Sequence, residues 1–194
     1  MNAHRHPTPD RRGMTLVEMM VALALFAVVS AVVIGFLNGS RDTYSDTSDR
    51  AHYQQSLRAV FGLLSRELRS AGCDPADIGL EGITLADGDA IRCRMDLDGD
   101  GATLGTTPDE DITYLYDPNL DELQRTTGAG TQVILRGVQR VQFSYFDGEG
   151  APLANLPLSQ DDRGLVRFVE IAIDGELLSG EPVTYSTRVF VRNG

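Results

Sequence analysis

The sequence predicts an α+β protein in which one long N-terminal helix packs on a small head of antiparallel β-sheet. Two observations lead to this fold class. The stretch Met14–Leu37 is almost entirely apolar, and no proline occurs between Pro9 and Pro75, so a continuous helix is permitted across that range. Beyond Pro75, short segments of alternating apolar and polar residues are separated by turn residues, which is typical of strands.

The N-terminal segment predicts a membrane anchor. Residues 1–13 are polar and basic, and the uncharged run Met19–Leu37 is just long enough to cross a bilayer as a helix. The arginines ahead of this run are expected to hold the N-terminus in the cytoplasm, which places the residues after Leu37 on the outer side. A plain signal anchor would explain these features. Glu18 argues against it, because a carboxylate inside an apolar span is costly and indicates a function.

The stretch Arg11–Glu18, RRGMTLVE, resembles the signal of type IV pilins and of type II secretion pseudopilins. The resemblance implies a type IV pilin-like fold, cleavage by a prepilin peptidase between Gly13 and Met14, and N-methylation of Met14. Phenylalanine is usual at this first mature position, so Met14 departs from the common pattern, within what minor members tolerate. In the family, the carboxylate at the position of Glu18 pairs with the amine of a neighbouring subunit during assembly, since a paired charge is far cheaper to bury than a lone one.

The second part of the helix is predicted to be amphipathic. Apolar residues recur with helical spacing from Leu57 to Leu68, and this stripe is the face expected to pack on a sheet. Arg66, Glu67 and Arg69 fall largely outside the stripe.

The end of this helix carries a second, weaker resemblance. The run Leu63–Gly72, LLSRELRSAG, is similar to the arginine–acid–apolar–arginine–x–alanine–glycine pattern of PilW-type minor pilins, and the J pseudopilin of type II secretion is similar there. Any amphipathic helix with alternating charges would also look comparable. Ala71 and Gly72 are expected to end the helix after about Ser70, and Pro75 agrees with that stop.

These segments give a predicted domain organisation. The parts are a cytoplasmic leader peptide that is cleaved (1–13), a transmembrane half of the helix (14–37), a periplasmic amphipathic half (38–72) and a β-rich head (73–194). The resemblance implies an inner-membrane protein with its head in the periplasm that later enters a pilus or pseudopilus. Its implied partners are the prepilin peptidase and other major and minor pilins, which it would contact through the helix.

The head is predicted to form one antiparallel sheet laid on the helix. Residues 155–163 are expected to form a loop. The predicted strands are Ala90–Met95, Asp111–Asp117, Leu120–Thr127, Gln132–Leu135, Val138–Phe146, Leu165–Ile173 and Val183–Val191.

The only two cysteines, Cys73 and Cys93, both follow the membrane span. Oxidising conditions outside the membrane favour a disulfide between them, which would join the end of the helix to the first predicted strand. Two free buried thiols are the alternative.

An acidic run, DLDGDG, is a candidate calcium site. Asp96, Asp98 and Asp100 match the first three ligand positions of a calcium loop, and glycine follows at the sixth position. The twelfth position is Thr107, where a glutamate is expected, and strands flank the run, so it is not an EF-hand. One of the acidic residues in Asp109–Asp111 would complete the site. A solvated acidic turn is the other interpretation, because Asp-Gly pairs favour tight turns.

The composition narrows the classes of function. A formal charge of −11 repels phosphate groups, so no nucleic-acid partner is expected. With only three histidines and two cysteines, the chain offers little material for a zinc centre or a nucleophile beside a histidine base. We therefore expect no catalytic activity, and a tethered enzyme is the weakest hypothesis.

The leading hypothesis is a minor pilin that helps to initiate or cap a pilus. A type II secretion pseudopilin and, from another class, a membrane-tethered calcium-dependent adhesion module remain as alternatives.

Overall fold

The computed structural model describes residues 15–104, 108–176 and 181–192, without the side chains of residues 38–50 and 52. The chain divides into two compact units, Met1–Thr47 and Ser48–Gly194. The long helix, α1, runs from Leu16 to Ser70 and is followed by antiparallel strands, which confirms the predicted α+β fold class.

The first unit contains the apolar part of α1. The stretch Leu16–Leu37 comprises 22 residues with a mean hydropathy of 2.8, long and apolar enough to cross a membrane. Its large apolar side chains are between 49% and 75% exposed. Within the chain, nothing among the described residues removes this surface from solvent, so it requires an apolar environment from outside.

The second unit contains the amphipathic end of α1. The predicted stripe is confirmed, because Leu57, Val60, Leu64 and Leu68 are all buried. After Ser70 the chain leaves the helix through Gly72, whose φ of 72° is the left-handed conformation that favours glycine.

Within the described part of the head the strands form two antiparallel sheets, so the prediction of a single sheet was wrong. The first sheet has the order β1-β2-β3-β4-β5 and the second the order β7-β6-β8-β9. The strands are β1 (Ile83–Ala86), β2 (Ala90–Arg94), β3 (Asp111–Asp117), β4 (Glu122–Thr127), β5 (Gly130–Arg136), β6 (Val138–Phe146), β7 (Pro152–Leu153), β8 (Phe168–Glu176) and β9 (Pro182–Phe190).

A single glycine separates the two sheets along the chain. Strand β5 ends at Arg136 and β6 begins at Val138, and Gly137 between them has a φ of 68°. Because this conformation is costly for other residues, glycine allows the chain to change direction in one step instead of continuing the first sheet.

The predicted strand pairs are partly confirmed. Strands β3 and β4 form the expected hairpin, and β8 and β9 form the expected last pair, although β8 begins at Phe168 rather than Leu165. The short strands β1 and β7 were not predicted from the sequence. The region expected to be a loop contains a short helix, α2 (Gln160–Arg163).

One core joins the end of α1 to both sheets. The buried stripe of α1 belongs to the same cluster as Tyr114 of β3, Phe143 of β6 and Ile171 of β8. The hydroxyl group of Tyr145, from the second sheet, donates to the carbonyl of Asp87, 2.9 Å away, beside the first sheet.

Candidate functional site

The start of α1 is closed by reciprocal hydrogen bonds between Thr15 and Glu18. The backbone N–H and the hydroxyl group of Thr15 donate to Oε2 of Glu18 at 2.8 and 2.9 Å, and the N–H of Glu18 donates to the hydroxyl of Thr15 at 3.3 Å. This arrangement is a capping box, which satisfies backbone donors that have no partner at a helix start. Glu18 therefore stabilises its own helix in addition to the assembly role predicted for it.

The predicted cleavage site lies next to this cap. Gly13 and Met14, the residues on either side of the expected cut, lie outside the described residues, as does the whole leader. Their processing stays a prediction.

A second glutamate of α1 forms a buried ion pair in the head. Glu67 is 8% exposed and forms a two-point contact with Arg125 of β4, with Nη2–Oε1 at 2.9 Å and Nε–Oε2 at 3.2 Å. The hydroxyl group of Tyr114 also donates to Glu67. The prediction that Glu67 lies largely outside the buried face was therefore wrong: its charge is compensated by residues distant in sequence.

The ion pair shifts the pKa values of Arg125 and of the neighbouring Tyr114. Burial and the charge of Glu67 raise the pKa of Tyr114. Burial alone would lower the pKa of Arg125, but the hydrogen bonds and the charge of Glu67 outweigh it and raise that pKa. Arg125 also contacts Asp109 at 3.2 Å, so one guanidinium links α1, β4 and the segment before β3.

The alanine and glycine that close the run LLSRELRSAG also have defined contacts. Ala71 is fully buried, and the N–H of Gly72 donates to the carbonyl of Arg94 at 2.9 Å. A Cβ atom on Gly82 would lie 2.6 Å from the nitrogen of Gly72, so two backbone segments approach too closely there for a side chain. These residues fix the end of α1 against β2.

Four carboxylates converge in the acidic loop. One oxygen from each of Asp96, Asp98, Asp100 and Glu110 lies within 4.8 Å of the others. Such a spacing suits a cation that takes oxygen ligands at about 2.3–2.6 Å, as calcium does. Of the three acidic residues that could have completed the predicted site, the structure brings Glu110 into the group. The predicted twelfth position, Thr107, lies outside the described residues.

The cluster is partly occupied by hydrogen bonds from the loop itself. The two oxygens of Asp96 accept from the N–H groups of Gly99 at 2.7 Å and Gly101 at 3.2 Å. Oε1 of Glu110 accepts from the N–H of Leu97 at 2.5 Å. These contacts order the loop whether or not a cation binds, so the predicted calcium site remains a prediction.

The two flanking acidic residues bind arginines instead. Asp111 accepts from Arg92 at 2.6 Å and from Arg94 at 3.0 Å. Burial acts in the opposite direction, but the two guanidinium groups lower the pKa of Asp111. Asp109 pairs with Arg125, as described above.

The structure does not confirm the predicted disulfide. Cys73 is a half-buried free thiol and Cys93 a fully buried one. Burial, followed by the charge of Glu67, raises the pKa of Cys93 to about 12, so this thiol stays protonated near neutral pH.

Comparison with known proteins agrees with the N-terminal features. Residues 8–34 match the family model described as the prokaryotic N-terminal methylation motif. The N-terminal segment of the chain therefore carries the methylation motif of prepilin-type proteins. The pilin-like protein PilA3 of Thermus thermophilus is 34% identical to it over 62 residues, which are 32% of this chain and 27% of that protein. The chain thus spans about a quarter of that relative's length.

Two features of the site were not predicted from the sequence. The capping box could have been found, because Thr15 and Glu18 have the Thr-x-x-Glu spacing that predicts one. No local pattern indicated the contact between Glu67 and Arg125, which are 58 residues apart.

Proposed function

We propose that this chain is a minor subunit of a type IV pilus, of the PilW type, which helps to initiate or cap the filament. Its leader would face the cytoplasm, α1 would anchor it in the inner membrane, and its head would lie in the periplasm. The observation that carries the proposal is the exposed apolar surface of Leu16–Leu37 directly after the capping box. Lipid, or a bundle of similar helices, would cover such a surface.

The proposed assembly step depends on Glu18. Cleavage by the prepilin peptidase after Gly13 would create an ammonium group at Met14, which is then methylated. Both donors of Thr15 contact Oε2 of Glu18, so the hydrogen bonds from Thr15 leave Oε1 for the ammonium group of a neighbouring subunit. In this arrangement the capping box holds the carboxylate in place and the neighbour neutralises its charge.

The proposal is tested with two matched variants at the start of α1. Glu18→Gln removes the charge and keeps an oxygen for the cap, whereas Thr15→Ala removes the hydroxyl group from the cap and keeps both the charge and the backbone N–H bond to Oε2. We expect Glu18→Gln to insert normally and to fail in assembly, and Thr15→Ala to assemble. The measurement is the amount of this chain in sheared fibres, in a strain that lacks its own copy. Wild-type recovery of the Glu18→Gln chain would reject the charge-pairing step.

The same strain separates the pilus from the secretion alternative. Loss of the chain should reduce the number of pili without changing the composition of their shaft, in which a minor subunit is scarce. If the strain makes normal pili and fails to export type II substrates, the chain is a J-like pseudopilin. Processing is checked in parallel, because mass spectrometry should find methylated Met14 as the first residue and Gly13→Leu should leave the precursor uncut.

The acidic cluster favours a second candidate function, a calcium-dependent adhesion module exported by the pilin signal. The supporting observation is that Glu110 joins Asp96, Asp98 and Asp100. This candidate predicts that binding of cells to a surface depends on calcium and is lost in Asp98→Ala, while the number of pili stays normal. A pilus defect in Asp98→Ala that calcium does not affect would exclude it.

A further inference from the structure

Strand β9 forms an open edge of the second sheet. Among the described strands it pairs only with β8, and the pairing runs without a register shift from Pro182 opposite Glu176 to Phe190 opposite Phe168. The other described edges differ. Strand β7 has two residues and β1 has four. Strand β5 joins β4 through a register shift.

The β9 edge lacks the features that usually prevent a sheet from adding another strand. Charged residues, bulges and internal prolines commonly protect such edges. The only proline of β9 is its first residue, Pro182, and its only charged residue is Arg188. That charge is compensated by Glu170 at 2.8 Å, and the guanidinium lies 4.1 Å from the ring centre of Phe146. The edge is therefore long, regular and almost uncharged.

A row of apolar residues crosses the second sheet and ends at this edge. Pro152 of β7 is in register with Phe146 of β6, which is in register with Phe168 of β8 and, through it, with Phe190 of β9. The rings of Phe168 and Phe190 are 5.4 Å apart, and Phe190 is 49% exposed. A further strand beside β9 would continue the row and cover the exposed side of Phe190.

We propose that the open edge of β9 binds an extended segment of another subunit of the assembly, which adds a fifth strand to the second sheet. The ligand is a polypeptide strand, since only an extended backbone supplies donors and acceptors that alternate at the spacing of a strand edge. It carries an apolar side chain beside Phe190. A different subunit is favoured over a second copy, because two copies that each carry a formal charge of −11 repel each other. This inference rests on the proposed pilus function.

Proline substitutions at two adjacent positions of β9 test whether its outer edge pairs with a further strand. In an antiparallel pair, successive residues direct their N–H groups alternately to the partner strand and away from it. Of Ser186→Pro and Thr187→Pro, one therefore removes a bond to β8 and lowers the melting temperature of the chain. The other removes only an outward N–H, which an edge strand tolerates, and should leave the melting temperature unchanged. The variant that removes the outward N–H is called the informative variant below.

Contact is measured in piliated cells with p-benzoylphenylalanine in place of Phe190. Irradiation should link this position to an extended segment of another pilin subunit, identified by mass spectrometry of the linked peptides. The adduct should be lost in the informative proline variant. The same photoreactive residue in place of Gln132, on β5, is the control and should give no such adduct.

Two results would overturn the inference: an adduct that survives the informative variant, or one that forms only with a second copy of this chain. Absence of any adduct while Glu18→Gln still abolishes assembly would overturn the inference alone. Normal assembly of Glu18→Gln would instead reject the charge-pairing step of the proposed function, whatever the adduct shows.

Discussion

Each end of α1 carries large apolar side chains and one glutamate, and the two ends differ in what surrounds them. In Leu16–Leu37 the apolar side chains are exposed, and the side chain of Glu18 forms hydrogen bonds, among the described residues, with Thr15 three positions earlier. In the last turns the apolar stripe is buried, and Glu67 contacts residues from distant strands. The first end depends on surroundings that the chain does not provide, whereas the second is stabilised by the head.

Because of this difference, we expect the carboxylates of Glu18 and Glu67 to have different roles. Removing the charge of Glu18 should affect only what happens between chains. Removing the charge of Glu67 should affect the folding of the chain itself, because the half-buried Arg125 would lose its main partner and keep only Asp109.

The largest expected effect follows from breaking the buried ion pair. Glu67→Gln should lower the free energy of unfolding of the head by about 1.5–3 kcal/mol, the range for hydrogen bonds to a charged group, because Arg125 keeps its ion pair with Asp109. The measurement is denaturant unfolding of the detergent-solubilised chain, followed by the near-ultraviolet circular dichroism of its tyrosines. Glu18→Gln is the matched control and should leave this unfolding free energy unchanged. Equal effects of the two variants would contradict the division between the ends of α1.

The packing of the amphipathic part of α1 on β8 gives the next effect. A Cβ atom on Gly175 would lie 1.8 Å from the hydroxyl oxygen of Tyr53, a buried atom without a hydrogen-bond partner among the described residues. Gly175→Ala should therefore cost about 1–3 kcal/mol, as overpacking does. Adding Tyr53→Phe should recover part of this loss in thermal melts. A Gly175→Ala chain as stable as the wild type would show that Tyr53 does not fix α1 on this strand.

The buried thiol predicts a loss of stability at alkaline pH. Cys93 has a pKa of about 12 in the folded chain against an ordinary value of 9.0. Its contribution is complete below pH 9 and falls as the pH rises towards 12, since the unfolded chain releases the proton first. The expected loss is about 1.4 kcal/mol per pH unit within this window.

Unfolding at about pH 9 and about pH 10, with Cys93→Ala as the control, measures this slope. The disulfide prediction is tested at the same time. A bridge between Cys73 and Cys93 leaves no thiol to titrate, so an oxidised chain should lack the slope and regain it on reduction.

The smallest expected effect concerns the acidic loop. If Asp96, Asp98, Asp100 and Glu110 bind calcium with a dissociation constant of about 10⁻⁴–10⁻³ M, about 1 mM calcium stabilises the head by roughly 0.4–1.4 kcal/mol. Thermal melts with calcium and with chelator measure the shift, and Asp98→Ala should abolish it. A midpoint that calcium leaves unchanged would identify the loop as an acidic turn.

The elements that sequence predicted best are those with a local signal. The helical spacing of Leu57, Val60, Leu64 and Leu68 predicted the buried stripe, and the apolar run before it predicted the membrane segment. Gly137, whose left-handed conformation separates the two sheets, gave no such signal, because the strands on either side of it both mix polar and apolar residues, as neighbouring strands of one sheet also do.

In the acidic loop, too, the sequence predicted only the part that has a local pattern. The sequence identified the first three aspartates of the acidic loop but could not choose among the acidic residues that follow. Which of these residues joins the cluster depends on arginines in other strands. Asp109 contacts Arg125, and Asp111 contacts Arg92 and Arg94, while Glu110 joins the cluster. Such contacts follow from strand register, which local composition does not specify.

The apolar surface of Leu16–Leu37 constrains how a filament that contains this chain can grow. Moving one large apolar side chain from a non-aqueous environment into water costs about 1.5–3 kcal/mol, and this segment carries many of them. The cost of exposing all of these side chains therefore prevents the helix from passing through water. In the proposed filament, each subunit would pass sideways, from lipid directly into contact with other helices, and would return by the same path. The bilayer would then serve as the reservoir of subunits, and lateral diffusion in the membrane would set the supply of the chain to the filament.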